Sequence, residues 1–397
     1  MDFDNTIITE KMRSPRTKGE MERRWALAKA QMEKAGLDML LAQNDNQYLG
    51  GYVRWFIDVP AVQAYPMTVM FCADGEMTTI THGAPEFPLL PEWAMRGPTE
   101  RLSSPYIRSL NYTDLYDAKL IADNIKARGV KRLGIVGRAQ LNYALVSYVR
   151  ENTDAEIVDA TKLIDQVKGP KSAEEVECVR ASARMHDEVM AYIPQVLRPG
   201  MHEYELNAAL AKKLIELGSE EQLLMIGSAP AGQCAGIQYT HYQKRVIEKG
   251  DVITVMVECS GPGGYYCEMG RTYALDCAPG QGLVDLFAQS REVQHRTAEL
   301  LIPGTPVREV TENVNKLLRE MHLPEEHRIF THGQGYDLIE APGFALEDDY
   351  VLQENMCIAV HPTYVTPEGF GFCCDNYLVT ASGTSRLQTY PQEIIRI

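Results

Sequence analysis

The stretch QVKGPKSAEEVECVRAS, residues 166–182, constrains the fold more than any other. Gly169-Pro170 ends whatever precedes it, because proline lacks an N–H and pushes the residue before it out of the helical region. Ser172 can then cap a new helix, and Glu175 stands three residues later, as in a capping box. A chain of 397 residues is long for one core. The break therefore predicts two domains, 1–168 and 169–397.

Hydrophobic periodicity gives the two halves different characters. In the first, Met21, Trp25, Ala28, Met32 and Ala35 recur at steps of three and four, one face of a helix ending at Gly36. A strand at Asp38–Gln43 and a loop over NQYLGGYVRWF are expected next, then a hairpin turning at Asp74-Gly75. Helix at Tyr112–Arg128, strand at Arg132–Val136 and helix at Leu141–Glu151 complete an α/β unit. The second half predicts helices at Ala173–Val196, His202–Leu217, Leu283–Leu301 and Val307–Met321. Strands are expected at Val252–Val257, Tyr265–Leu275, Met356–His361 and Asp375–Thr380. Without a regular βαβ period, this half reads as α+β.

Charge narrows the partners. The formal net charge of −15, spread along the chain, repels phosphate, so nucleic acid and anionic membrane surfaces are not expected. No uncharged apolar run reaches the ~18 residues of a membrane span, and the N-terminal residues lack a secretory apolar core. Nine cysteines without a C-x-x-C pair argue for reduced thiols. The expected location is cytoplasmic and the expected partner a small-molecule substrate.

Groups capable of chemistry sit at four separated places in the second half: Glu258 and Glu268 in VMVECSGPGGYYCEMGRTYAL, His332 in THGQG, His361 in CIAVHPTY, and Cys374-Asp375 in GFCCDNYLVT. Glycines beside His332 let backbone approach a ligand closely, and Pro362 ends the strand so that the His361 side chain can face a cavity. Read from composition alone, these would be core histidines with satisfied hydrogen bonds.

In order and spacing, GDVITV, GGYYCEMGRT, THGQGYDLIEAP, MCIAVHPTY and DNYLVTASG resemble the pita-bread enzymes: methionine aminopeptidase, Xaa-Pro aminopeptidase, prolidase and creatinase. The resemblance runs over nearly the whole chain. It implies a C-terminal pita-bread catalytic domain preceded by a smaller creatinase-type α/β domain. The peptidases hold two metal ions with two Asp, one His and two Glu, and every departure falls on that set. Glu268 stands for the second Asp, and Met256, or Glu258 two residues on, stands for the first. His332 is retained, whereas the two Glu positions are His361 and Cys374. The histidine of the peptidase H-E-x-P is Ile339, and the histidine before the G-D strand is Tyr239, with His241 on the same face if the segment is extended.

Two bridging carboxylates are thus replaced by neutral groups, which removes the compensation that two divalent ions need. Two readings stay open. In one the site is metal-free, as in creatinase, with His332, His361 or His241 as base and acid and Glu268 orienting an imidazole or holding a cationic group. In the other, Glu268, His332, His361 and Cys374 bind a single divalent transition metal, for hydrolysis or for lyase chemistry. The resemblance also implies a homodimer in which the loop YLGGYVRWFIDVP completes the partner's site. Tyr52, Arg54 and Trp55 would there offer a fork for a carboxylate between aromatic walls. Arg271 is expected to be structural. The leading expectation is a creatinase-like hydrolase of a non-peptide C–N bond in a small zwitterionic or carboxylated metabolite, with no cofactor. A rewired metal-dependent lyase or Xaa-Pro-type peptidase, and a non-catalytic peptide-binding module, are the alternatives.

Overall fold

In a computed structural model the structure describes residues 13–60, 62, 64–84, 89–105 and 110–397. The chain divides into two compact units, Met1–Lys168 and Gly169–Ile397.

In the first unit, strands β1 (Met39–Asn44), β2 (Met67–Cys72), β3 (Met77–His82), β4 (Glu100–Ser104), β5 (Arg132–Ile135) and β6 (Glu156–Asp159) form one sheet in the order β4-β3-β2-β1-β5-β6. Helices α1 (Lys18–Ala35), α2 (Gly51–Ile57), α3 (Tyr116–Arg128), α4 (Tyr143–Asn152) and α5 (Thr161–Lys168) pack around it. Met21, Ala28 and Met32 are the buried face of α1, which stops where Gly36 takes φ 62°.

One expectation fails here. The stretch NQYLGGYVRWF is not a loop throughout: Gly51–Ile57 is α2, and Val53, Trp55, Phe56 and Ile57 bury against β1 and β2. Burial of a continuous apolar run outweighs the glycine pair that suggested a loop. Trp55 is 0% exposed and Arg54 7%, so Trp55 is core and presents no wall to a ligand. Tyr52 gives its hydroxyl hydrogen to Asp165 Oδ1 at 2.7 Å, within the same unit.

The second unit opens with α6 (Ala173–Val196), where the Ser172 hydroxyl accepts from Glu175 N at 3.1 Å and the Glu175 carboxylate accepts from Ser172 N at 2.7 Å. Such a cap contributes about 1 kcal/mol. Helix α7 (Glu203–Glu216) follows, then β7 (Gln222–Pro230), β8 (Asp251–Ser260) and β9 (Tyr266–Ala274). Next come α8 (Gln281–Glu299), α9 (Val307–Glu320), β10 (Thr331–Gly333), β11 (Glu340–Gly343), β12 (Cys357–Val360), β13 (Thr363–Thr366), β14 (Gly369–Phe372), β15 (Asp375–Thr380), β16 (Gly383–Arg386) and β17 (Ile395–Arg396). Two larger sheets result, ordered β17-β9-β8-β7 and β11-β10-β12-β15-β16, with β13 and β14 paired as a separate antiparallel hairpin. Leu206, Leu210 and Leu214 of α7 join Val189 and Ile193 of α6 under the first sheet, and Val310, Val314 and Leu318 of α9 pack under the second.

The two sheets meet where Gly270 N of β9 donates to Cys374 O at 3.2 Å, just ahead of β15. A Cβ on Gly270 would lie 2.0 Å from the Phe372 ring, so the approach requires glycine. This junction places β8 and β9 beside the ends of β10 and β12. Among the described residues no helix is long and apolar enough to cross a membrane.

Candidate active site

Strands β8 and β9 are paired antiparallel with Glu258 opposite Glu268. Residues so opposed hold their Cβ atoms about 5 Å apart on one face, and two like charges there are destabilising. The pair resolves this by sharing a proton. Burial, then the Glu268 charge and hydrogen bond, holds the Glu258 carboxyl well above the usual carboxylate range. Burial would also raise Glu268, but His361, His332 and hydrogen bonds from Cys374 and Glu258 outweigh it and hold it low. Glu258 is therefore the acid and Glu268 the carboxylate. The Cys374 thiol donates to Glu268 Oε1 at 3.0 Å, and Gln334 Nε2 donates to Oε2 at 3.4 Å. Gln334 is set by Asn376, whose Nδ2 donates to Gln334 Oε1 at 2.7 Å and whose Oδ1 accepts from Glu268 N at 2.7 Å.

Facing Glu268, β10 and the end of β12 bring two histidines together. His332 Nε2 lies 3.8 Å from Glu268 Oε2, His361 Nε2 lies 3.6 Å from Oε1, and the two Nε2 atoms are 3.1 Å apart. Hydrogen bonds fix both tautomers. His332 Nδ1 is 3.0 Å from the Gly333 carbonyl, which can only accept, so Nδ1 carries the hydrogen and Nε2 is bare. Arg328 Nη2 is 3.1 Å from His361 Nδ1, and a guanidinium can only donate, so the His361 hydrogen sits on Nε2 and is given to His332 Nε2. Burial, opposed by Glu268 and aided by His332 and Arg328, lowers His361 to about 4, so the ring is neutral at pH 7.

These groups line a cavity of about 460 Å³ with Leu223, Met225, Ile237, Met256, Phe370 and Phe372 as apolar wall. Tyr239, Arg328, Ile329 and Ile339 also line it, with Tyr239 55% and Ile339 52% exposed at the rim. Of the alternatives before the G-D strand, Tyr239 faces the cavity. His241 is exposed in a 3-10 turn beside Tyr242 and is not among the lining residues, because Thr240–Tyr242 is helical and the extended geometry that would align the two side chains is absent. Glu258 reaches the cavity from its own strand position without a bulge. Asp375 does not: it is wholly buried in an ion pair with Arg271 Nη2 at 2.6 Å and accepts from Gln392 Nε2 at 2.8 Å. Strand alternation turns it away from Glu268 once Cys374 points in. Arg328 and Gln334 were not singled out from sequence, since neither stands at a motif position that carries chemistry in the resembling enzymes.

Glu268, His332 and His361 each bring one ligand atom within 4.8 Å of the others, the span of a single-ion site. The two-ion set of the resembling peptidases does not fit: Met256 is apolar wall, and His361 and Cys374 stand in place of the two carboxylates that would offset a second divalent charge. Single-ion ligation does not fit the hydrogen bonds either. A ligating imidazole donates its other ring N–H to an acceptor. His332 does so, whereas His361 accepts at that nitrogen and carries its hydrogen on the one that would face the ion.

The profile of metallopeptidase family M24 matches residues 177–381. The probable dipeptidase PepE of Mycobacterium tuberculosis is 26% identical over 240 residues, 59% of this chain and 63% of that protein. A creatinase from a Bacillus species is 23% identical over 256 residues, 60% of this chain and 61% of that one. The chain thus spans less than two thirds of the length of these curated relatives. In architecture it is similar to the dipeptidase PepE of Mycobacterium ulcerans, with a TM-score of 0.78 at 21% identity over 96% of this chain and 99% of that one. That likeness bears out the pita-bread fold preceded by an α/β domain. The chain belongs to metallopeptidase family M24.

Proposed function

We propose that the chain is a hydrolase of a non-peptide C–N bond in a small zwitterionic or carboxylated metabolite, working by acid–base catalysis without the two-ion site. The observation that carries this reading is the opposed pair Glu258–Glu268 set against the His332–His361 pair, its Nε2 atoms 3.1 Å apart, in a single cavity. A volume of about 460 Å³ suits a small molecule rather than a chain of residues. Glu268 offers a buried negative charge for a cationic group of the substrate. At the rim Arg328 makes its hydrogen bonds to described residues from Nη2, which leaves the other edge of the guanidinium for a carboxylate.

Water attacks the carbon of the C–N bond while Nε2 of His332, the cavity-facing ring nitrogen that carries no hydrogen, takes its proton, and Glu268 stabilises the charge that develops on the ring. The Glu258 carboxyl gives its proton to the departing nitrogen. A C–O bond has formed, the C–N bond has broken, and transfer of the proton from His332 to Glu258 restores the starting state. A panel of small zwitterions and carboxylated amidines, ureas and guanidines, assayed with and without added metal, tests the reading. Turnover of a panel member without metal supports it, and saturable peptide binding without turnover of any panel member would contradict it.

The dipeptidase relatives favour a second reading, an Xaa-Pro-type peptidase. Hydrolysis of Xaa-Pro dipeptides that depends on added divalent metal would select it. That reading requires His361 to give up its Nε2 hydrogen, so that Glu268, His332 and His361 could hold an ion supplying Lewis-acid polarisation.

A further inference from the structure

We infer that Arg328 determines the cofactor specificity of this site: by holding His361 in its Nε2–H tautomer, it keeps divalent cations out of the Glu268–His332–His361 triad. The inference rests on the metal-free reading above and assigns that property to one residue.

From Arg328 to Gly333 runs an unbroken chain: Arg328 Nη2–H to His361 Nδ1 at 3.1 Å, His361 Nε2–H to His332 Nε2 at 3.1 Å, and His332 Nδ1–H to Gly333 O at 3.0 Å. Each link has one hydrogen and one lone pair. An ion held by both histidines needs both Nε2 lone pairs, so the hydrogen between them must leave. Its other place on a neutral His361 is Nδ1, and there it would face an N–H of Arg328 across 3.1 Å, donor against donor, with only the carbonyl of His361 itself to share. The guanidinium charge beside the ring also opposes a second cation.

Nor is Arg328 a loosely placed surface side chain at this point. The same Nη2 donates to His361 O at 3.2 Å and to Thr363 Oγ1 at 3.0 Å, and the Thr363 hydroxyl donates to His361 O at 3.1 Å. The two hydrogens of Nη2 are thus shared among His361 Nδ1, His361 O and Thr363 Oγ1, which together hold the nitrogen over the ring. His332 has the pattern a ligating histidine needs, and Glu268 supplies the charge. Among the described residues, Arg328 is the group that sets His361 against ligation. Its exposure means that an apolar replacement leaves the core untouched.

The test is a cobalt(II) titration of the full chain, followed by visible absorption and calorimetry, on the unaltered protein, on Arg328→Leu, and on Arg328→Leu combined with His361→Ala. Arg328→Leu should bind one cobalt at least about a hundredfold more tightly than the unaltered protein, with ligand-field bands that the double variant lacks. Nitrogen-15 spectra of the histidine rings give a second readout that needs no metal, with His361 in the Nε2–H form until Arg328 is replaced. If neither protein binds cobalt, or if His361 carries its hydrogen on Nδ1 in the unaltered protein, the role of Arg328 is overturned while the metal-free reading stands. If the unaltered protein binds cobalt as tightly as Arg328→Leu, the metal-free reading falls with it.

Discussion

Glu258 and Glu268 stand directly opposite each other on β8 and β9 and hold one proton between them. Replacing Glu258 by Gln keeps a hydrogen-bond donor toward Glu268 but removes the proton that can be delivered to a leaving group. Turnover is expected to drop by about 10²–10⁴-fold, the range for loss of a general acid, with folding intact. Steady-state kinetics measures the loss. The infrared carbonyl band of a protonated carboxyl, present at neutral pH in the unaltered protein, should weaken in Glu258→Gln.

The pH dependence follows from the signs of the shifts. His361 is lowered to about 4, so once pH rises past that value the ring is neutral and leaves His332 Nε2 without a charged neighbour, free to act as the base. Glu258 is raised, so it remains an acid until pH passes its elevated pKa. A plot of kcat/KM against pH should rise on an acid limb near 4 and fall on an alkaline limb, set by the raised Glu258 carboxyl, that Glu258→Gln removes. An acid limb near the ordinary histidine value of about 6.5 would show that deprotonation of His361 does not set the active form.

Cys374 sits against Glu268 as a protonated thiol, and thiols react as thiolates. Iodoacetamide applied to the native protein should modify the half-buried Cys178 and Cys234 before Cys374, with peptide mass spectrometry as the readout. Rapid native alkylation of Cys374 would place a thiolate, and hence a usable metal ligand, in the cavity.

Asp375 neutralises Arg271 where both are wholly buried. Asp375→Asn leaves that guanidinium without its counter-charge and is expected to destabilise by about 3–5 kcal/mol, read from urea unfolding. Unchanged stability with a large loss of turnover would instead give Asp375 a part in the reaction.

How much of this was legible in the sequence depends on the residue. Glu268, His332 and His361 could be picked out because each sits in a motif whose spacing the strands preserve, and the capping box at Ser172 because its signal is local. Tyr239 and His241 could not be separated, since a single 3-10 turn decides which side chain faces inward. Helix α2 was hidden by its glycine pair, because what stabilises it is burial of Trp55 and Phe56 against strands near in space. Arg328 lies in an unremarkable loop, and its importance comes from a hydrogen bond to a ring 33 residues away. Local signals were readable, whereas contacts made only by tertiary packing were not.

The most direct test of the central claim is elemental analysis of catalytically active protein, paired with turnover before and after exhaustive chelation. Acid–base hydrolysis by Glu258, Glu268 and the histidine pair predicts far less than one equivalent of bound transition metal and the same turnover after chelation. One or two equivalents of metal, lost with activity on chelation and restored with it, would contradict the account.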